Sequence, residues 1–148
     1  MQQIRGDIDG PKAYTAEAVC ELMVEAFRRL PCHPVFSSQG CLRLIGEIGG
    51  FAETVLGWPA RFVPANPPGT EGPDDRLCLM TWARARAIPA HSIGEFCREF
   101  SLERSTFDRR RLRAARAIAD ELNRQLRAAL LTASSLGLLT TPKAAPDA

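Results

Sequence analysis

Six arginines lie within thirteen residues, and this segment has the clearest chemical potential in the chain. Residues 104–116 contain only one acid, Asp108, although a solvated helical face usually alternates acidic and basic side chains four residues apart. The arginines are Arg104, Arg109, Arg110, Arg111, Arg113 and Arg116. Each guanidinium is always charged and can donate two hydrogen bonds to a phosphate or a carboxylate. So many like charges repel one another unless an anion neutralises them, and the pattern therefore predicts an anionic partner.

The residues around this segment are spaced as two helices joined by a tight turn. Ser92 can cap the first helix and Ser105 the second, because a serine hydroxyl accepts the N–H groups that a helix start leaves unpaired. Asp108 can then reach back to that cap or complement the helix dipole. Apolar side chains fall on one face of the first helix at Ile93, Phe96, Cys97 and Phe100. Only about four residues separate the helices, with Leu102 filling the gap, which is typical of a helix-turn-helix.

The second helix separates apolar from basic side chains. Its apolar arc consists of Phe107, Ala114, Ala115, Ile118, Leu122, Leu126 and Ala129. Arg109, Arg113, Arg116, Arg124 and Arg127 lie on the opposite side, and Arg110 lies at its edge. Arg111 falls inside the arc, where its stem can pack while its charged head snorkels.

This geometry predicts binding to double-stranded DNA. The second helix of such a motif enters the major groove with its N-terminal residues near the base edges. Early arginines can pair bidentately with guanine, while later ones hold phosphates. The predicted DNA-binding residues are Arg104, Ser105, Thr106, Arg109, Arg110, Arg113 and Arg116.

The distribution of charge along the chain also places the predicted anionic partner at the C-terminal half. Net charge is +2, but residues 1–80 hold 7 Lys+Arg against 10 Asp+Glu, which gives −3. Residues 81–148 hold 12 against 7, which gives +5. The basic half is the half with the helix-turn-helix pattern, so the charge imbalance supports an anionic partner there.

The remaining elements predict an all-α fold, in which a three-helix unit has a long C-terminal helix and an N-terminal packing helix. We predict a flexible arm at 1–13, an N-terminal helical segment at 14–75, the DNA-binding unit at 76–133 and a tail at 134–148. The last helix is expected to run to about residue 133, because the preceding stretch has no Gly or Pro.

Within the N-terminal segment, Thr15 caps an amphipathic helix that Pro31 stops. Residues 42–56 have a weaker helical pattern, and the five prolines of residues 57–73 predict an extended loop. Asp74 or Asp75 then caps a helix over residues 76–88, which is apolar on two sides and is therefore expected to be buried between neighbours.

Other functional classes have weaker support. Cys32, His33 and Cys41 lack the paired spacing of a metal site, so no metal or other cofactor is predicted. No nucleophile and base stand at an informative spacing, and we predict neither an enzyme nor a small-molecule substrate. No run of about 18 apolar residues predicts a membrane span. With no signal peptide in view, Cys20, Cys78 and Cys97 are interpreted as small buried residues in a reducing cytoplasm.

Residues 14–31, 57–59 and 82–123 together resemble an uncharacterised family of small helix-turn-helix proteins from bacteriophages, prophages and alphaproteobacteria. The resemblance implies a phage-related DNA-binding role and brings no catalytic residues. A looser similarity links the chain to phage small terminase subunits, in which a helix-turn-helix accompanies helices that assemble a ring.

We therefore predict a sequence-preferring DNA-binding protein, which acts as a regulator or as the recognition subunit of DNA packaging. Its apolar stripes exceed what one small unit can cover, so at least a dimer is expected. The alternative is a non-enzymatic adaptor whose arginines meet an acidic partner protein.

Overall fold

A computed structural model describes residues 13–35, 50–66, 69 and 71–137. Within these ranges the chain forms helices and no strand, which confirms the predicted all-α class. The helices are α1 (Ala16–Arg29), α2 (Phe51–Phe62), α3 (Asp75–Ala87), α4 (Ile93–Glu99) and α5 (Arg104–Ser135). Most of the predicted arm and tail lies outside the described residues. None of the helices in the described part of the chain is long and apolar enough to cross a membrane.

Three helix starts confirm the predicted side-chain caps. The Thr15 hydroxyl accepts the N–H three residues ahead at 3.0 Å, the Asp74 carboxylate does the same at 2.9 Å, and the Ser92 hydroxyl at 3.1 Å. Each satisfies one of the donors left unpaired at a helix start, which fixes where α1, α3 and α4 begin.

The predicted loop over residues 57–73 is wrong in its first part, because α2 continues to Phe62 with Pro59 inside the helix. Trp58 and Pro59 are both buried against the core. Burial of a tryptophan outweighs the hydrogen bond that a proline cannot donate, and tertiary packing often overrides such local preferences. The predicted helix over residues 42–56 appears only in its last part, since residues 36–49 lie outside the described ranges.

The main hydrophobic core joins α1, α2, α3 and α5. Its largest fully buried side chains include Met23 and Phe27 of α1, Leu56 of α2, Leu79 of α3 and Ile118 of α5. Burial of five such side chains contributes on the order of 10 kcal/mol before the loss of chain entropy is counted. This core fixes the middle of α5 against three other helices.

A smaller hydrophobic cluster joins α3, α4 and the start of α5. Its buried members are Cys78, Cys97 and Phe107, and Trp82, Ile93, Phe96 and Leu102 pack around them. The Phe96 and Phe107 rings meet edge to face with their centroids 5.6 Å apart. Helix α3 therefore faces two clusters, which confirms the prediction that it is buried between neighbours.

The turn between α4 and α5 is closed by its backbone. Leu102 donates its N–H to the Cys97 carbonyl at 2.8 Å, and Ser101 adopts a left-handed φ of 51°. Side chains other than glycine seldom adopt that conformation, so the reversal is held by the surrounding contacts.

Helix α5 has 32 residues and is therefore about 48 Å long. Its last buried residue is Ala119. The expected end near residue 133 agrees with the observed end at Ser135. Beyond the buried part, Leu131 and Leu136 have relative exposures of 70% and 66%, so the far end of α5 extends past the core.

Candidate nucleic-acid interface

Helix α5 begins two residues earlier than the sequence predicts. Glu103 occupies the cap position and Arg104 is the first helical residue, so the prediction that Ser105 caps the helix is wrong. The cause is the compact turn, in which Leu102 is already held at the helix junction. Ser105 and Thr106 thus lie within the first turn, where their hydroxyls are displayed beside the helix start.

Asp108 does not reach back to the helix start either. Its carboxylate lies 3.3 Å from the Arg104 Nε and 3.4 Å from the Arg111 Nη2. With the cap at Glu103, Asp108 lies beyond the third helical residue, from which a side chain can return to the cap. The single acid of the segment therefore compensates two arginines.

In the described part of the chain, the Glu103 side chain makes no capping hydrogen bond at the start of α5, and the first turn of the helix contains no acidic residue. Its first N–H groups, on residues 104–106, precede the first helical hydrogen bond, which Phe107 donates to the Glu103 carbonyl. Unpaired N–H groups and the positive end of the helix dipole attract anions. Arg104 adds a charged side chain at the same place.

Arg109 and Arg116 are exposed on the same side of α5, seven residues apart. Arg109 donates from Nη2 to the Thr106 hydroxyl at 3.2 Å, a contact between two residues of the predicted DNA-binding set. An exposed guanidinium held by a neutral hydroxyl keeps its full charge available to a partner. These two arginines agree with the predicted outward face.

Arg113 forms an ion pair within the protein that the sequence does not predict. Its Nε and Nη2 donate to the two carboxylate oxygens of Asp75 at 2.7 and 3.0 Å. The Asp75 side chain is 11% exposed and that of Arg113 is 61% exposed. Hydrogen bonding to Asp75 and its negative charge raise the pKa of Arg113. Arg113 faces outward as predicted, and it also joins α5 to the first turn of α3.

Arg110 holds the segment that precedes α3. Its Nη1 donates to the Pro73 carbonyl at 2.6 Å and lies 3.5 Å from the Glu71 carbonyl. Gly72 adopts a φ of 81° between them, and a Cβ there would stand 3.4 Å from the same nitrogen. A glycine suits this position on both counts. The prediction that Arg110 lies at the edge of the basic side is consistent with its inward contacts.

Arg111 is built into the core boundary, as its position inside the apolar arc predicts. Its guanidinium carbon lies 4.3 Å from the centre of the Trp82 ring, and its Nη1 lies 3.6 Å from the Cys20 sulfur. The side chain is 16% exposed. The stem packs as predicted, but the charged head stacks on the Trp82 ring instead of extending into solvent, so this arginine contacts α1 and α3.

The arrangement thus divides the arginine segment. Arg110, Arg111 and Arg113 bind groups outside α5, whereas Arg104 and Arg109 contact only side chains of α5 itself among the described residues, and Arg104, Arg109 and Arg116 are exposed. Sequence reasoning missed Asp75 as an internal partner. The adjacent acids at 74 and 75 were the available signal, because a helix start needs only one of them as a cap.

The buried cysteines confirm their predicted structural role. Cys20, Cys78 and Cys97 are free thiols with at most 8% exposure. Burial raises the pKa of the Cys78 thiol to about 12, which makes it unreactive at neutral pH. Of the three residues weighed as metal ligands, Cys41 lies outside the described ranges. Among the residues that are described, no group of three His, Cys, Asp or Glu side chains is placed to hold a metal ion.

No protein-family model matches the chain, and no curated protein or solved structure is significantly similar to it. The resemblance to phage and prophage helix-turn-helix proteins therefore stays a prediction. A functional proposal has to rest on the geometry and charge of α3, α4 and α5.

Proposed function

We propose that this protein binds double-stranded DNA through the first half of α5, as a regulator or as a recognition subunit of DNA packaging. The observation that carries the proposal is that Arg109 and Arg116 face solvent on one side of α5, while Arg104 lies at the helix start, which has no side-chain cap. Phosphate groups match this chemistry, because they accept from backbone N–H groups and from guanidinium donors together.

The supporting helices suit a helix that inserts into a groove. Arg113 and Arg110 tie α5 to the start of α3 through Asp75 and the Pro73 carbonyl. Leu102 of the α4–α5 turn packs against the cluster around Phe107. A helix fixed at several points can present its exposed arginines in one geometry, which base recognition needs.

The proposed contacts differ in kind along the helix. Arg104, Ser105 and Thr106 stand at the helix start, where side chains of a recognition helix reach base edges. Arg109 and Arg116 lie further along and are assigned mainly to phosphates. Arg113 is 61% exposed and retains one Nη group for DNA, although its main partner is Asp75.

The experiment compares two double variants that remove the same charge from the same helix. Arg109→Ala with Arg116→Ala removes two proposed phosphate contacts and is expected to lower the salt slope of DNA binding by about two. The matched control is Arg124→Ala with Arg127→Ala, on the part of α5 beyond the buried core. It is expected to leave the slope nearly unchanged. DNA affinity is measured by fluorescence anisotropy between about 50 and 200 mM salt.

Sequence preference is tested separately by selecting bound fragments from genomic DNA. A selected fragment is expected to outcompete random DNA by at least about a thousandfold. If an acidic polypeptide competes as well as the selected DNA, the adaptor alternative replaces this proposal. Equal effects of the two double variants would mean that general charge, and not the start of α5, attracts DNA.

A further inference from the structure

The far end of α5 has a regular apolar seam that leaves the protein's own core. From the buried Ala119, apolar side chains follow at alternating spacings of three and four residues, the repeat by which helices pair along their length. We call this the α5 seam, and its members are Leu122, Leu126, Ala129, Ala133 and Leu136. Leu122 still packs on the main core, whereas Ala129 and Leu136 are exposed.

We infer that the α5 seam binds the same seam of a second copy of this chain, with the two helices antiparallel. When the two-fold axis lies between positions 127 and 128, Leu122 meets the partner's Ala133 and Leu126 meets the partner's Ala129. By symmetry, each alanine in turn receives a leucine. A large side chain therefore faces a small one in the four layers that these residues form, and Leu136 lies beyond them. Such layers allow two helices to approach to about 8 Å.

The order of large and small residues identifies a second copy of this chain as the partner of the α5 seam. The order of large and small residues is complementary to itself when reversed, which is what a two-fold interface requires of one surface. An unrelated partner would place no such condition on the seam. The inference goes beyond DNA binding and does not depend on it, because the proposed DNA contacts lie at the other end of the helix.

Charge along the same segment is consistent with this pairing. Residues 128–137 contain no charged side chain, unlike an ordinary solvated helix end. The positions that flank the seam carry Asn123, Gln125, Leu130 and Thr132. Arg124 and Arg127 point away from it in a helical projection. Antiparallel pairing therefore brings no like charges together.

The first test places a charge on or off the seam. Ala129→Glu is expected to raise the dimer dissociation constant by at least about a hundredfold, because both copies bury an unpaired carboxylate. The matched control is Leu131→Glu, which lies about 140° around the helix from Leu126 and is 70% exposed. The control is expected to remain dimeric. Sedimentation equilibrium without DNA gives the mass, and circular dichroism shows that both variants remain folded.

A second test examines the register. Ala129→Leu is expected to weaken the dimer, because two leucines then face each other and spread the helices. Adding Leu126→Ala to that variant is expected to restore it, because the large and small positions are only exchanged. A parent protein that is monomeric at about 100 μM, where a micromolar interaction would be saturated, overturns the proposal. Dissociation by Leu131→Glu, or a dimer strengthened by Ala129→Leu, overturns the proposed surface or its antiparallel register.

Discussion

Arg109 and Arg113 are four residues apart on α5, yet they have different interaction partners. Arg109 is held by a neutral hydroxyl and keeps its charge for a partner, whereas Arg113 neutralises the nearly buried carboxylate of Asp75. A nearly buried carboxylate without a partner is costly, while an exposed arginine contributes little to stability. The type of residue is the same, and the difference comes from what the neighbouring helix presents.

Arg113→Ala should lower the free energy of unfolding by about 1–3 kcal/mol, less than for a fully buried pair because Arg113 is largely exposed to solvent. Arg109→Ala should change it by no more than about 0.5 kcal/mol, as expected of a surface site. Urea unfolding monitored by circular dichroism provides both values. A double-mutant cycle with Asp75→Asn should show that the loss at Arg113 depends on Asp75. Equal, small effects of the two arginine variants would contradict an internal role for Arg113.

The Cys78 thiol should make the protein less stable in alkali. Burial raises its folded-state pKa to about 12 from an ordinary value of 9.0, so the unfolded chain loses this proton at a lower pH than the folded chain. Between those two values unfolding releases a proton, and stability therefore falls as the pH rises. Urea unfolding at pH 8 and pH 10 tests this, with Cys78→Ala as the control. That variant should start from a lower stability and show a weaker dependence on pH. An unchanged dependence would assign the effect to other groups.

At the scale of helices, α4 depends on its neighbours. It has seven residues, too few for a stable helix in isolation, and the buried Cys97 and half-buried Phe96 hold it against α3 and α5. Phe107 is the fully buried side chain at the centre of that cluster. The start of α5 and the position of α4 therefore share one packing contact.

Phe107→Ala should cost about 3–5 kcal/mol of stability, because it opens a cavity between three helices. It should also weaken DNA binding at temperatures where the main core is still folded, since α4 and the start of α5 lose their common contact. Phe107→Leu is the milder comparison and should retain most of the stability. Thermal unfolding and DNA affinity are measured on the same samples. A stable Phe107→Ala variant would contradict the role of this cluster.

Much of this helix arrangement is predictable from local sequence, and the exceptions have physical causes. The caps at Thr15, Asp74 and Ser92 involve residues three apart, so the sequence contains both partners. The second half of α2 was predicted as a loop because Pro59 breaks the local helical pattern, and the burial of Trp58 and Pro59 depends on distant elements. The start of α5 was predicted two residues too late, because Leu102 is fixed by tertiary packing. The internal partners of Arg110 and Arg113 are 37 and 38 residues away, beyond any local pattern.

At the scale of the molecule, α5 links two surfaces. Its first half is anchored to the other helices and presents the proposed DNA contacts, while its last buried residue is Ala119. Tyr14 and Asn123 exchange two hydrogen bonds, of 2.7 and 3.0 Å, near the end of the anchored part. The remaining length carries the α5 seam. One continuous helix therefore fixes the distance between the proposed DNA contacts and the proposed self-association.

A chain that ends at Gln125 should separate these two functions. It keeps Ala119 and the Tyr14–Asn123 contact, so it should fold with nearly the parent's helicity over its remaining length. It should be monomeric, because it lacks four of the five seam residues and keeps only Leu122. On a DNA fragment with one site, the truncated chain should have the affinity and salt slope of one subunit of the parent dimer. On a fragment with two sites it should lose the gain that a linked second unit provides, on the order of a hundredfold. Fluorescence anisotropy with one-site and two-site DNA measures the affinities, and sedimentation measures the mass. Full-length Ala129→Glu is the control, and it should behave like the truncated chain because it lacks only the dimer contact. A truncated chain that is folded, monomeric and equally tight on two-site DNA would mean that the far end of α5 does not contribute to recognition.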